Sequence, residues 1–189
     1  MSPRTVLVLG GVRAGKSAFA VARAKELGGR VVFVATAEAG DAEMAARIAR
    51  HRAERPSSWR TVEVPVGLPW ALRALTGEAD VVVVDCLNLW VANLLTKRPE
   101  VSDADLLAEA ADLEAASRPP RCSLILVSNE VGWGLHPETA LGRRFRDALG
   151  FVNQAAARAA DDVVLMVAGC PLVVKSAGAS PLPGGGRTP

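Results

Sequence analysis

The sequence predicts an α/β fold with a mostly parallel central sheet and helices on both of its faces. Two observations carry that reading. Five short runs of Val, Leu and Ile, at 6–9, 31–34, 81–84, 124–127 and 163–167, are near-continuous rather than alternating, the pattern of strands buried on both sides. Between them lie Ala-rich stretches with helical spacing at about 16–27, 41–54, 103–116 and 137–160, and Ala is the best helix former. Right-handed crossovers then set helices on both faces, and ligands belong at the carboxyl ends of the strands.

The 189 residues correspond to about one domain at ~100–200 residues each, and half of them are apolar, enough for a sizeable core. A single domain is expected over 1–175, followed at 176–189 by a disordered Gly/Pro-rich tail without apolar period. A formal net charge of +2 is far from the basic balance of a nucleic-acid coat, so no nucleic-acid partner is expected. Cys86, Cys122 and Cys170 are widely spaced and each sits in or beside an apolar run. They suit small buried hydrophobes in a reducing compartment, with neither zinc spacing nor a disulfide framework. The apolar stretch 5–12 runs into Arg13 and Lys16 without a cleavage site, and the stretch 81–95 is interrupted by Asp85, Asn88 and Asn93. No membrane span is expected, and the chain reads as cytoplasmic.

The first strand opens onto Gly10-Gly11-Val12-Arg13-Ala14-Gly15-Lys16-Ser17, which satisfies G-x-x-x-x-G-K-[ST] between a strand and a helix, the context this motif needs. Because the chain has few lysines (Lys16, Lys25, Lys97 and Lys175), a chance match somewhere has a frequency of roughly 0.3%. The glycines let backbone N–H groups curl around phosphate oxygens, and the helix N-terminus adds partial positive charge. Lys16 reaches the terminal phosphates and Ser17 offers a hydroxyl to Mg2+. Residues 1–175 therefore read as a nucleotide-binding domain, and these residues alone do not say what is done with the nucleotide.

The second run leads into Ala35-Thr36-Ala37, and the third ends in Asp85, where an acidic residue completes a magnesium shell beside Ser17. Apolar runs ending in Asp are common, and it is the pairing with the phosphate loop that makes this one a candidate. Ser102 or Asp103 caps the third helix. The fourth run leads into Ser128-Asn129-Glu130-Val131-Gly132.

His51 sits in a predicted helix in which Arg47, His51 and Arg55 fall at i, i+4 and i+8 on one face. Such a stripe is either a solvated basic face, relieved by Glu43 and Glu54, or a surface that meets a polyphosphate. In the second case a neutral imidazole is a good nucleophile toward phosphorus, and neighbouring arginines disfavour its protonated form. A lone histidine is more often an ordinary residue. His136, in a Gly-Leu-His-Pro turn, is read as structural.

Several segments together resemble the bifunctional adenosylcobinamide kinase / adenosylcobinamide-phosphate guanylyltransferase family of cobalamin synthesis. They are the phosphate loop, Val34-Ala35-Thr36-Ala37, and Asp41-Ala42-Glu43-Met44-Ala45-Ala46-Arg47-Ile48 running into His51. Further on come Trp59-Arg60-Thr61-Val62-Glu63, Asp85-Cys86-Leu87 with Trp90 and Asn93-Leu94-Leu95, Asn129-Glu130-Val131-Gly132-Trp133-Gly134, and Arg144-Phe145-Arg146-Asp147 with Asn153-Gln154. The likeness runs in order over about 5–175.

The resemblance implies a RecA-like P-loop NTPase fold, a homotrimer, and two steps on adenosylcobinamide. Its aminopropanol hydroxyl is phosphorylated with ATP or GTP; GMP is then transferred from GTP to adenosylcobinamide phosphate through a guanylylated histidine, here His51, with release of pyrophosphate. The implied nucleotide contacts are Gly10, Gly11, Val12, Arg13, Ala14, Gly15, Lys16, Ser17, Ala35, Thr36, Ala37, Arg52, Ala53, Glu54, Arg55, Glu63 and Asp85, with Lys16 and His51 catalytic and Ser17 and Asp85 on Mg2+. Family members often carry Ser at position 37 and a second His at position 50; this chain has Ala37 and Arg50. Two other readings stay open: a different phosphate-loop small-molecule kinase in which His51 is a bystander, and a nucleotide-dependent interaction module. The second is disfavoured by the lack of a recognisable long exposed apolar face and of an Asn-Lys-x-Asp guanine-reading motif.

Overall fold

The computed structural model describes residues 2–53, 55–118 and 120–177. The chain runs β1 (Thr5–Gly10), α1 (Lys16–Leu27), β2 (Val31–Ala35), α2 (Ala42–Ala53), β3 (Arg60–Glu63), α3 (Leu68–Leu75), β4 (Val81–Asp85), α4 (Leu87–Lys97), α5 (Asp103–Ala116), β5 (Ser123–Val127), α6 (Ala140–Ala159), β6 (Asp162–Val167) and β7 (Cys170–Ser176). One sheet of order β3-β2-β4-β5-β1-β6-β7 results. Every neighbouring pair is parallel except β6 with β7.

Strand order decides which helix covers which face. The crossovers β1 to β2 and β2 to β3 step one way along the sheet; β3 to β4, β4 to β5 and β5 to β6 step the other way. Right-handed connections therefore put α1 and α2 on one face and α3 to α6 on the opposite one. The packing agrees. Val6, Val8, Val31, Phe33, Val81, Val83, Ile125 and Val127 pack with Ala20 and Ala24 of α1. Their alternating neighbours Leu7, Val32, Val34, Val82, Val84, Leu124 and Leu126 pack with Leu68, Leu72, Trp90, Leu94, Leu113 and Leu149 of the four other helices. Strands buried on both faces need no polar alternation, which is why they read as unbroken apolar runs.

Four elements escape the sequence pattern. β3 is an edge strand, Arg-Thr-Val-Glu, half-exposed, so it carries no apolar run. α3 is a short eight-residue helix, and α4 follows β4 after Cys86 alone, so strand and helix merge into a single apolar stretch. β7 is an exposed antiparallel edge. α6 starts at Ala140 rather than near 137 because Thr139 is its N-cap, its side chain accepting from the Gly142 N–H. At α5 the cap is Ser102: its side chain accepts from the Asp105 N–H, and the Asp105 carboxylate accepts from the Ser102 N–H.

Two expectations are corrected. Cys86 and Cys122 are buried, but Cys170 is exposed, because β7 is an edge strand with a sheet neighbour on one side only. The same strand exposes Leu172, Val173 and Val174, so an apolar strip is present where none is expected. Residues 178–189 of the Gly/Pro-rich tail lie outside the described residues. Among the described residues, no helix is long and apolar enough to cross a membrane.

Candidate active site

The phosphate loop is built by constraints on both of its ends. Gly10 has φ 149°, and a Cβ there would lie 2.5 Å from the Met166 carbonyl oxygen of β6. Gly15, at φ 94°, would press a Cβ against Gly169 in the β6–β7 turn. Only glycine fits these approaches. The Gly169 N–H donates to the Ala14 carbonyl, and the Glu130 N–H donates to the Gly10 carbonyl at 3.1 Å. The β6–β7 turn and the β5 exit thus hold the loop. α1 has no side-chain N-cap bond, which leaves its first N–H groups for an anion. Lys16 is 8% exposed, and its ammonium donates to the Gly11 carbonyl at 2.6 Å.

Asp85 reaches the same face by register. Val81 and Val83 point to the α1 side and Val82 and Val84 to the other, so the period-two pleat returns Asp85 to the α1 side. The electrostatics of the next residue agree. Burial pushes the Cys86 thiol up to about 12, Asp85 adds to the rise and Lys16 opposes it, which puts carboxylate and ammonium within influence of one buried sulfur. The Asp85–Cys86 peptide bond is cis. It is clamped by Thr36, whose hydroxyl donates to the Cys86 carbonyl at 2.7 Å and accepts from the Cys86 N–H at 2.8 Å. Asn93 of α4 donates to the Thr36 and Pro65 carbonyls at 2.8 and 3.0 Å. Thr36 is fully buried; its hydroxyl braces the Asp85 turn, while Ala35 and Ala37 beside it are half-exposed.

Ala35 pairs with both Asp85 and Glu63, so these three residues form one row across the carboxyl edge. At ~4.8 Å per strand, β3 lies about 19 Å from β1. The implied contacts therefore stretch from the phosphate loop to the far edge of the sheet. α2 lies on the α1 face, and its described side chains are exposed except Ile48, which is half-buried. The helix ends at Ala53, so Arg55 is not the third member of a helical stripe. Its guanidinium instead stacks 3.8 Å from the Phe33 ring centroid and donates to the Thr61 hydroxyl at 3.3 Å. Arg52 and Ala53 are exposed. The backbone at His51 belongs to α2, while its side chain, those of Glu43 and Arg47, and all of Glu54 lie outside the described residues. His136 is exposed in the β5–α6 loop.

The metal question turns on donor chemistry. Among the described residues no three His, Cys, Asp or Glu cluster to hold an ion. Ser17 and Asp85 are two oxygen donors on one face, a set too small for an all-protein cage. It fits Mg2+, which takes one or two protein oxygens together with substrate phosphates and waters. A groove of about 520 Å³ between β3 and α3 is lined mainly by Val62, Val64, Val66, Trp70 and Leu75, with Arg60 and Glu63 its charged groups. It is apolar and four strands from the phosphate loop. Sequence reading missed the bracing by Asn93 and the Thr36 hydroxyl; both sit beside motif residues, but spacing alone does not reveal which carbonyl a side chain reaches. Trp90, in one of the segments that carry the resemblance, is fully buried in the core.

The family model for cobinamide kinase / cobinamide phosphate guanyltransferase matches residues 6–174. The bifunctional adenosylcobalamin biosynthesis protein CobP of Pseudomonas aeruginosa is 44% identical over 170 residues, covering 89% of this chain and 96% of that protein. The bifunctional adenosylcobalamin biosynthesis proteins CobU of Escherichia coli and Salmonella typhimurium are each 39% identical over 180 residues, covering 90% of this chain and 99% of theirs. A P-loop sheet with its phosphate cradle intact, matched along nearly its whole length, belongs to the cobinamide kinase / cobinamide phosphate guanyltransferase family.

Proposed function

We propose that this chain phosphorylates adenosylcobinamide and then transfers GMP from GTP to the phosphorylated product, in the assembly of cobalamin. The observation that carries the reading is the convergence of Lys16 and Asp85 on the face that also bears α2 and His51. Residues 1–175 act as one catalytic domain. In the first step the acceptor hydroxyl oxygen bonds to the γ-phosphorus of ATP or GTP as the bond to the β–γ bridging oxygen breaks. The electron pair leaves with the nucleoside diphosphate and the hydroxyl proton goes to water. Lys16 and the loop N–H groups take up the charge on the phosphoryl oxygens.

In the second step a His51 ring nitrogen bonds to the α-phosphorus of GTP, and pyrophosphate leaves with the electron pair of the broken P–O bond. The ring N–H proton passes to water, leaving a phosphoramidate. An oxygen of the phosphate of adenosylcobinamide phosphate then bonds to the same phosphorus as the P–N bond breaks; the electron pair returns to the ring nitrogen, and a proton from water restores the neutral imidazole. Arg52, Ala53, Glu54, Arg55 and Glu63 receive the guanosine end, Ala35, Thr36 and Ala37 the middle, and Gly10 to Ser17 with Asp85 the phosphates. Ser17 and Asp85 would hold Mg2+, which when bound neutralises phosphate charge. The exposed apolar strip of β7 suits burial between copies, in keeping with a homotrimer, and a cytoplasmic location fits three unpaired cysteines.

Incubation with α-labelled GTP and Mg2+, followed by denaturation, tests the covalent step. An acid-labile, base-stable label on the protein, absent from His51→Ala and discharged by phosphorylated cobinamide, is the expected result. Full guanylyl transfer by His51→Ala would remove the covalent role and leave a simple kinase with a second, direct transfer.

A further inference from the structure

Asn129 follows β5 and is given no role by the two-step scheme, yet the sheet places it at the centre of the site. β5 lies between β1, which bears the phosphate loop, and β4, which bears Asp85. The parallel ladder between β5 and β1 continues past the strand end. Leu124 donates to Arg4, Ser128 to Val8 and Glu130 to Gly10, so the chain stays extended through Glu130 and alternation of its side chains persists. Ile125 and Val127 point to the α1 face and Leu124 and Leu126 away from it. Ser128 points away as well, its hydroxyl donating at 2.6 Å to Asn153 of α6 on the opposite face. Asn129 therefore returns to the α1 face, between Lys16 and Asp85.

The side chain is half-exposed and forms no hydrogen bond among the described residues. Its backbone is pinned. Asn153, 7% exposed, donates through Nδ2 to the Asn129 carbonyl at 3.0 Å while its Oδ1 accepts from Ser128. One buried carboxamide thus fixes two consecutive residues, and the next, Glu130, holds the first glycine of the phosphate loop. A residue held so firmly, with its own amide unspent and facing the gap between ammonium and carboxylate, has the build of a preorganised donor.

Resting on the two-step scheme above, we infer that Asn129 is a catalytic residue of the phosphorylation step, donating its carboxamide N–H to an oxygen of the γ-phosphoryl group, and that Asn153 is its positioning residue. The γ-phosphorus is the one attacked in phosphorylation, where its oxygens change charge. In guanylyl transfer the attack falls on the α-phosphorus and the γ-phosphate leaves as part of pyrophosphate. A donor aimed at the γ-position therefore serves the first reaction far more than the second.

The test measures both rates on one enzyme. Asn129→Ala is expected to lower kcat for phosphorylation roughly 100-fold, the usual effect of losing one such donor, with KM for nucleotide changed less than kcat. Guanylyl transfer is expected to fall far less, so that the ratio of the two rates changes at least about 10-fold. Asn153→Asp keeps the acceptor for Ser128 but removes the donor to the Asn129 carbonyl. It should shift the same ratio in the same direction, by less, with an unchanged far-UV spectrum. Equal losses in both reactions, or no loss of phosphorylation in Asn129→Ala, would overturn the inference. A wild-type protein lacking either reaction would instead refute the scheme beneath it.

Discussion

α1 and α2 are both twelve-residue helices, each following a parallel strand on the same face of the sheet, and they are treated oppositely by the fold. α1 buries Lys16, Ala20 and Ala24 and begins in a loop held by β5, β6 and the β6–β7 turn. α2 leaves its described alanines exposed, and just beyond its end Arg55 stacks on Phe33. The difference has a chemical logic. In the proposed scheme one element presents backbone N–H groups to a triphosphate, and preorganisation is worth most there. In the same scheme the other carries the nucleophile His51, which must approach a different phosphorus atom, and the described side chains of that helix are exposed except Ile48.

Breaking the fixed side should have the largest effect. Lys16→Ala is expected to lower both reactions by about 1,000-fold, about 4 kcal/mol of barrier, because both use the same held triphosphate. His51→Ala, on the other helix, should abolish only guanylyl transfer. Steady-state assays of the two reactions separate these outcomes, and equal losses in the two variants would erase the distinction between the helices. Gly10→Ala comes next. Its Cβ would meet the Met166 carbonyl at 2.5 Å, so a destabilisation of about 2 kcal/mol is expected in denaturant titrations, with weaker nucleotide binding.

Alkali sharpens the comparison from another direction. Cys86 lies under the phosphate-loop side, and its thiol is pushed up to about 12 by burial first and Asp85 second; burial raises Cys122 to about 11. A raised pKa means that the folded chain holds the proton more tightly. The stabilising contribution is therefore complete below the ordinary value of 9.0 and is lost as pH rises toward 11–12. Thermal midpoints should fall across that window, and in native protein at pH ~8, where an ordinary thiol is only partly ionised, a maleimide should label Cys170 well before the other two. The smallest effect is expected at Arg55→Ala. Loss of a cation–π contact worth about 0.5–1 kcal/mol should speed amide exchange in α2 and reduce guanylyl transfer more than phosphorylation.

Much of this was legible before any coordinates, for reasons that are local. The runs ending at Gly10, Ala35, Asp85 and Val127 are apolar because both faces of each strand are covered, and Gly10 stands where a Cβ has no room while Gly15 takes a φ of 94° that other residues rarely adopt. Edge elements hide for the converse reason. β3 needs one covered face at most, so it did not have to be apolar, and β7 keeps its Leu172, Val173 and Val174 exposed as an edge strand. Arg55 was misplaced because a spacing of four presumes that the helix continues, and α2 stops at Ala53.

By itself the chain specified its α/β class, its phosphate loop and its family, since strand burial, glycine sterics and motif order are written in consecutive residues. The tertiary structure alone decided that α2 shares a face with α1, that Thr36 and Asn93 brace the Asp85 turn, and that Asn153 braces Asn129. Those facts depend on strand order and on contacts between residues as much as 57 positions apart, and no local pattern encodes which carbonyl a distant side chain will meet.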